Sequence, residues 1–156
     1  MKSLVILMTL AGIAAADVHT NKGAKVSFDA PKSYKLSEQD TQMKGESDDK
    51  AVALAFWLVD SGDADKAEHS VATELYTALA SITWDKPRTE KVNGLAATFI
   101  DGTGRTAGKA LDLHMIVVGP TATKKYAILI GIVDQAKADA HKAEIAAILK
   151  SVKPAK

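Results

Sequence analysis

The sequence predicts an α+β protein, a three-layer α/β/α sandwich whose central sheet is mostly antiparallel with a helix on each face. Three observations carry this reading. Two runs, AVALAFWLV at 51–59 and KYAILIGIV at 125–133, are apolar at both alternating sets of positions. A strand apolar on both faces has to be covered on both. Ala67, Val71, Leu75, Leu79 and Ile82 recur at helical spacing in segment 61–82, and a second helical pattern runs from Asp134 to about Val152. The last three strands are separated by short links, which suit antiparallel hairpins.

Taken in order, the chain opens with one basic residue, Lys2, an apolar run from Leu4 to Ile13, and Ala14-Ala15-Ala16 before the first acid at Asp17. This is the order of a secretory signal peptide with a small-residue cleavage site, and the run is short of the ~20 residues a spanning helix needs. Residues 1–16 are therefore expected to be a signal peptide, 17–24 a flexible lead-in, and 25–153 a single domain. Val26 and Phe28, then Tyr34 and Leu36, alternate with polar neighbours around Pro31, which predicts two short strands. A third strand is expected over 42–47, with Asp48-Asp49 as a turn. After the 51–59 strand, Asp63 or Asp65 can cap the first helix, and Pro87 blocks its continuation. Asn93-Gly94 marks a turn into LAATFID, GTGRTAG leads to the strand KALDLHMIVV, and Gly119-Pro120 turns the chain again. Seven strands and two helices result. The closing helix places Ala138, Ile145, Ile148, Leu149 and Val152 on its apolar side.

Charge and composition bound the partners. The formal net charge is +1 over 156 residues, and Lys2 is the one charge in the leader, so residues 17–156 are balanced with both signs interspersed. That leaves no broad field for nucleic acid or an anionic membrane. There is no cysteine, which excludes disulfides, thiolate metal sites, a cysteine nucleophile and a lipoprotein anchor. The expected product is soluble, without a membrane anchor in its mature form, and periplasmic or extracellular.

Several of these landmarks recur together. Phe28-Asp29-Ala30-Pro31 is followed by Tyr34, a long central helix and Asn93-Gly94. A Gly-rich hairpin, a Tyr126-Ala127-x-Leu129-x-Gly131 strand and a C-terminal helix ending Ile-Leu-Lys-Ser follow. In this the chain resembles the PsbP-like α/β/α sandwich group, with extrinsic photosystem II subunits, a Ran-binding nuclear import factor and DcrB-type bacterial exported proteins. The resemblance spans nearly all of 24–153 and implies binding or support of larger assemblies. It implies no catalytic site, because its shared positions are turns and core residues.

Gly102-x-Gly104-x-x-Ala107 matches a relaxed dinucleotide fingerprint, but a strand of period two follows where a helix should receive the pyrophosphate. A hairpin explains the same glycines. Asp60, Asp63, Asp65 and Glu68 lack the Gly and Glu of a calcium loop and suit a helix N-terminus. His19, His69, His114 and His141 show no H-x-x-x-H pairing, and no G-x-S-x-G elbow is present. A hydrolase would require the fold to bring Asp112 or His114 against another ionisable group in a pocket.

One metal reading survives. Cleavage after Ala16 would expose Asp17-Val18-His19 as a free amino terminus. Its amine, two backbone amides and the His19 Nδ1 offer the square-planar nitrogen set that copper(II) or nickel(II) prefers. The leading expectation is nonetheless an exported binding or assembly-support protein with a protein partner and no catalytic site. Its working surface would be loops 101–109 and 119–125. The alternative is a small-ligand or metal carrier that uses a cleft beside Trp57 or Trp84, or the amino-terminal Asp17 and His19.

Overall fold

A computed structural model describes residues 15–39 and 41–156. The expected signal peptide lies outside these residues except for Ala15 and Ala16. Strand β1 (Ala16–Asn21) begins at once and pairs antiparallel with β2 (Val26–Pro31) from Ala16↔Pro31 to Asn21↔Val26. Residues 16–21 are thus a strand where a loose lead-in was expected. The pairing face holds the reason: His19 stacks on Phe28 at 5.5 Å, and Asn21 is buried.

The chain continues through β3 (Ser37–Gln39), β4 (Gln42–Glu46), β5 (Val52–Val59) and α1 (Ala64–Ala78). Next come β6 (Ala80–Trp84), β7 (Arg88–Val92), β8 (Leu95–Thr106), β9 (Lys109–Val118) and β10 (Tyr126–Asp134). A 3-10 turn (Gln135–Lys137), α2 (Ala138–Lys150) and β11 (Lys153–Pro154) close it. The main sheet runs β3-β4-β5-β10-β9-β8-β6, with β7 also on β8, and every pairing is antiparallel. A small sheet, β1-β2-β11, stands apart.

The two-sided strands sit in the middle, as their composition demands. Val52, Leu54, Phe56 and Leu58 of β5 join one core with Ile116, Leu129 and the α2 residues Ile145, Ile148 and Leu149. Ala55, Trp57 and Val59 join the other core with Leu113, Met115, Ile130 and the α1 residues Ala67, Val71 and Leu75. The expected helix on each face is present. The face of α2 also carries the small sheet, where Phe28 stacks on Phe56 at 5.9 Å. Gly131 of β10 lets α2 approach: a Cβ there would lie 2.9 Å from Ile145 Cδ1.

Three local expectations are corrected. Helix α1 ends at Ala78 because Leu79 turns extended (φ −122°), so Ile82 belongs to β6, although both still pack on the α1-side core. The 34–36 strand is displaced to β3, which starts at Ser37. The Gly-rich stretch 101–106 stays within β8, and the turn is Ala107-Gly108, with φ of 44° and 80°. Asn93-Gly94 repeats that left-handed pair at 49° and 84°, the signature of a two-residue hairpin. Strands β6 and β7 were not foreseen: RTEKV is mostly exposed and has no alternating apolar pattern, and in ASITW the residue Ile82 also continues the helical spacing of Leu75 and Leu79, which masks the alternation Ala80-Ile82-Trp84. No helix among the described residues is long and apolar enough to cross a membrane.

The fully buried Leu113 tests the central packing. Leu113→Ala is expected to cost ~2–5 kcal/mol in urea unfolding, whereas Val18→Ala, at an exposed position, is expected to stay within ~0.5 kcal/mol.

Candidate functional site, a groove beside helix α2

Helix α2 packs over β10 and β9 and against β2, and a groove of about 230 Å³ runs between it and residues of β7, β8 and β9. The sheet contributes Arg88 and Glu90 from β7, Phe99 and Asp101 from β8, and His114 from β9. The helix contributes Lys142, Ile145, Ala146, Leu149 and Lys150. These sheet residues converge because hairpin register places them side by side: Arg88 pairs with Phe99, and Asp101 with His114.

The polar end is ordered by Asp101. Its Oδ1 lies 2.8 Å from His114 Nδ1, and its Oδ2 accepts from Arg88 Nη2 at 3.1 Å. With Nδ1–H donated to the carboxylate, His114 Nε2 has no protein partner among the described residues. The Arg88 guanidinium also sits over Phe99, 5.9 Å from the ring centre. Phe99, Ile145 and Leu149 are buried and form the apolar floor, while Lys142 and Lys150 stand exposed at the rim. Neither lysine makes an ion pair among the described residues.

Two clamps fix the wall. Near its start, α2 is held by His141, whose Nε2 lies 3.0 Å from Asp49 Oδ2 and whose Nδ1 lies 3.3 Å from Glu144 Oε1. Tyr34 donates its hydroxyl to the same Glu144 oxygen at 2.6 Å. At the other end, Asn93 Nδ2 donates to the carbonyls of Lys150 and Val152 at 3.0 and 2.9 Å. The β7-β8 turn therefore caps the carbonyls that a helix end leaves unpaired.

The first clamp is ionic. Hydrogen bonds from Ser47 and the Ala51 amide, then His141, hold the Asp49 carboxyl well below the usual carboxylate range. Burial pushes the His141 imidazole down, but hydrogen bonds to Asp49 and Glu144 outweigh it, and its pKa is raised. Burial, then the bond to Glu144, pushes the Tyr34 hydroxyl up and keeps it a donor.

The structure also locates the other candidate residues. Asp17 lies 3.9 Å from Lys32, and His19 Nδ1 lies 3.7 Å from Glu38, with Nε2 buried and unpartnered among the described residues. Wrapping a copper(II) ion through residues 17–19 would require them to peel from β2. Trp57 is buried and donates to Glu74 at 3.0 Å, beside a hollow of about 410 Å³. Trp84 packs across β8, where a Cβ at Gly102 would meet its ring at 2.7 Å. Asp63 caps α1 by accepting from the Lys66 amide at 2.8 Å, and no group of three metal-ligating side chains occurs among the described residues. The turn at 107–108 and the loop 119–125 lie at opposite ends of β9, a strand of 10 residues, so they do not form one surface. Asp112 accepts from Gln135, whereas His114 does meet an ionisable partner in a groove. Among the groove's lining residues there is no serine, threonine or cysteine for that dyad to activate.

No family model matches the sequence, and no curated protein matches it. Solved structures do. CyanoP, the PsbP of the cyanobacterium Synechocystis sp. PCC 6803, superposes with a TM-score of 0.67 at 10% identity, covering 91% of this chain and 94% of that one. The fold is that of the PsbP-like group. LpqN of Mycobacterium tuberculosis, involved in cell envelope biogenesis, matches at a TM-score of 0.57 and 12% identity over 82% of each chain. The Ran-binding protein Mog1p of Saccharomyces cerevisiae matches at 0.58 and 9% identity, over 91% of this chain and 96% of its own. At these identities the likeness to PsbP-like proteins is one of fold.

The clamp has a pH signature. His141, its pKa raised, contributes stability that is full below about pH 6.5 and lost as pH rises through its folded value. Asp49, its pKa depressed, contributes above about pH 4 and loses this as pH falls. The urea midpoint of the wild type is expected to decline from about pH 6 to about pH 8, and His141→Gln to lack that decline. Parallel profiles for the two proteins would contradict the clamp.

Proposed function

We propose that this protein is an exported binding or assembly-support protein that engages a protein partner through the groove beside α2. The observation that carries the reading is a helix pinned at both ends, by His141 and by Asn93, over a floor of buried apolar side chains. Such a wall holds the helix backbone and its buried apolar residues in place, and a surface ordered before encounter loses less freedom on binding. Proteins of the same fold include the Ran-binding protein Mog1p, which supports binding as the class of role. Export rests on the leader pattern of residues 1–16.

A second reading is favoured by one observation, the hollow of about 410 Å³ beside Trp57, lined by Lys44, Ala55, Glu74 and Ile132 among others. A small apolar ligand seated there would change Trp57 fluorescence, and a ligand panel that leaves the emission unchanged would remove this reading.

The leading reading is tested by quantitative capture from the exported fraction with wild type and a Lys142→Glu/Lys150→Glu double variant. Both lysines are exposed and unpaired, so folding is expected to be unaffected, while recovery of the specific partner falls about tenfold. Equal recovery by the two proteins would contradict the assignment of the partner to this groove.

A further inference from the structure

We propose that the groove beside α2 captures the free C-terminal carboxylate of a partner polypeptide whose last residue is apolar. The inference rests on the preceding reading of the groove as the partner surface and names what that surface recognises.

Charge comes first. Both oxygens of Asp101 are occupied, one by Arg88 and one by His114, so this acid orients two donors instead of opposing an anion. The remaining Arg88 N–H groups can then face a carboxylate, and Arg suits such planar recognition. Among the described residues, Lys142 and Lys150 add two unpaired cations at the rim, and Glu90 is the one unpaired acid of the lining. The balance favours an anionic end group.

Shape and size come next. Phe99, Ile145 and Leu149 form an apolar floor, and Ala146, exposed and small, leaves room above it. A volume of about 230 Å³ is below the ~300–1,000 Å³ typical of small-molecule sites and suits one side chain with its carboxylate.

The bordering strand argues for a polypeptide. β7 pairs with β8 alone, and no backbone bond among the described residues occupies its outer edge. A chain ending in the groove can lay its preceding residues along that edge as an added strand, with main-chain bonds giving affinity and the terminal pocket giving selectivity.

The test uses an acetylated pentapeptide ending in leucine with a free carboxylate, its C-terminal amide, and octanoate, each titrated into ¹⁵N-labelled protein. The free acid is expected to shift amides of β7, β8 and α2 and to bind about tenfold more tightly than the amide. R88Q, with an otherwise unchanged amide spectrum, is expected to lose that preference, and A146F to block binding of the acid. Acid and amide binding equally, or shifts lying outside the groove, would overturn the proposal. So would octanoate matching the peptide, which assigns the groove to free organic acids. If the peptides fail while the lysine double variant still loses its partner, the groove remains the partner surface and only the C-terminal chemistry falls.

Discussion

Two adjacent strands that are apolar on both faces, β5 and β10, set the terms for the rest of this molecule. β10 lies between β5 and β9, and inside the chain it can hide neither of its faces unaided. Layers above and below follow from that, because each exposed apolar face would cost free energy roughly in proportion to its area. Helix α1 covers one side, and α2 with the small sheet covers the other. The two coverings differ in kind. α1 seats Ala67, Val71 and Leu75 on the sheet, whereas α2 shares its face with β2 and comes close at Gly131.

That shared face produces the groove. The small sheet and α2 cover only part of the face, and toward β7 the apolar floor gives way to Arg88, Asp101 and His114. The helix is not free to slide over and close the gap. An ion-paired histidine anchors its first turns to the β4-β5 link, and an asparagine of the β7-β8 turn caps its last carbonyls. The elements that stabilise α2 therefore also define the width of the site, which links its geometry to the protonation of His141.

The layers were legible because periodicity reports which faces are buried. From Leu54 to Val59 alternate positions divide between the two cores as their pattern requires, and the stripe Ala67-Val71-Leu75 is buried. Polar edge strands were not legible: β1 and β7 gain their order by pairing with a neighbour, a fact their own side chains do not encode, and in β6 the helical spacing of Ile82 masks the alternation Ala80-Ile82-Trp84. The site lay between these cases. Asp112 and His114 interrupt the face of β9 that Ile116 and Val118 continue, which marks His114 as unusual. Placing the turn at Ala107-Gly108 puts Asp101 opposite His114, six residues from the turn on each strand. Assigning 101–109 to a loop hid that register. The clamp joins Asp49 to His141 across 92 positions of sequence, and no local pattern signals it.

One two-sided sheet unifies both cores and holds both helices. Native-state amide hydrogen exchange measures this directly, since it reports which segments open together. Amides of Leu113, Ile116, Leu129 and Ile130 are expected to exchange only through global unfolding, with a common free energy for residues facing either helix. Those of β1 and β3 should open far more readily. Two separate opening energies, one for the α1-side core and another for the α2-side core, would contradict it.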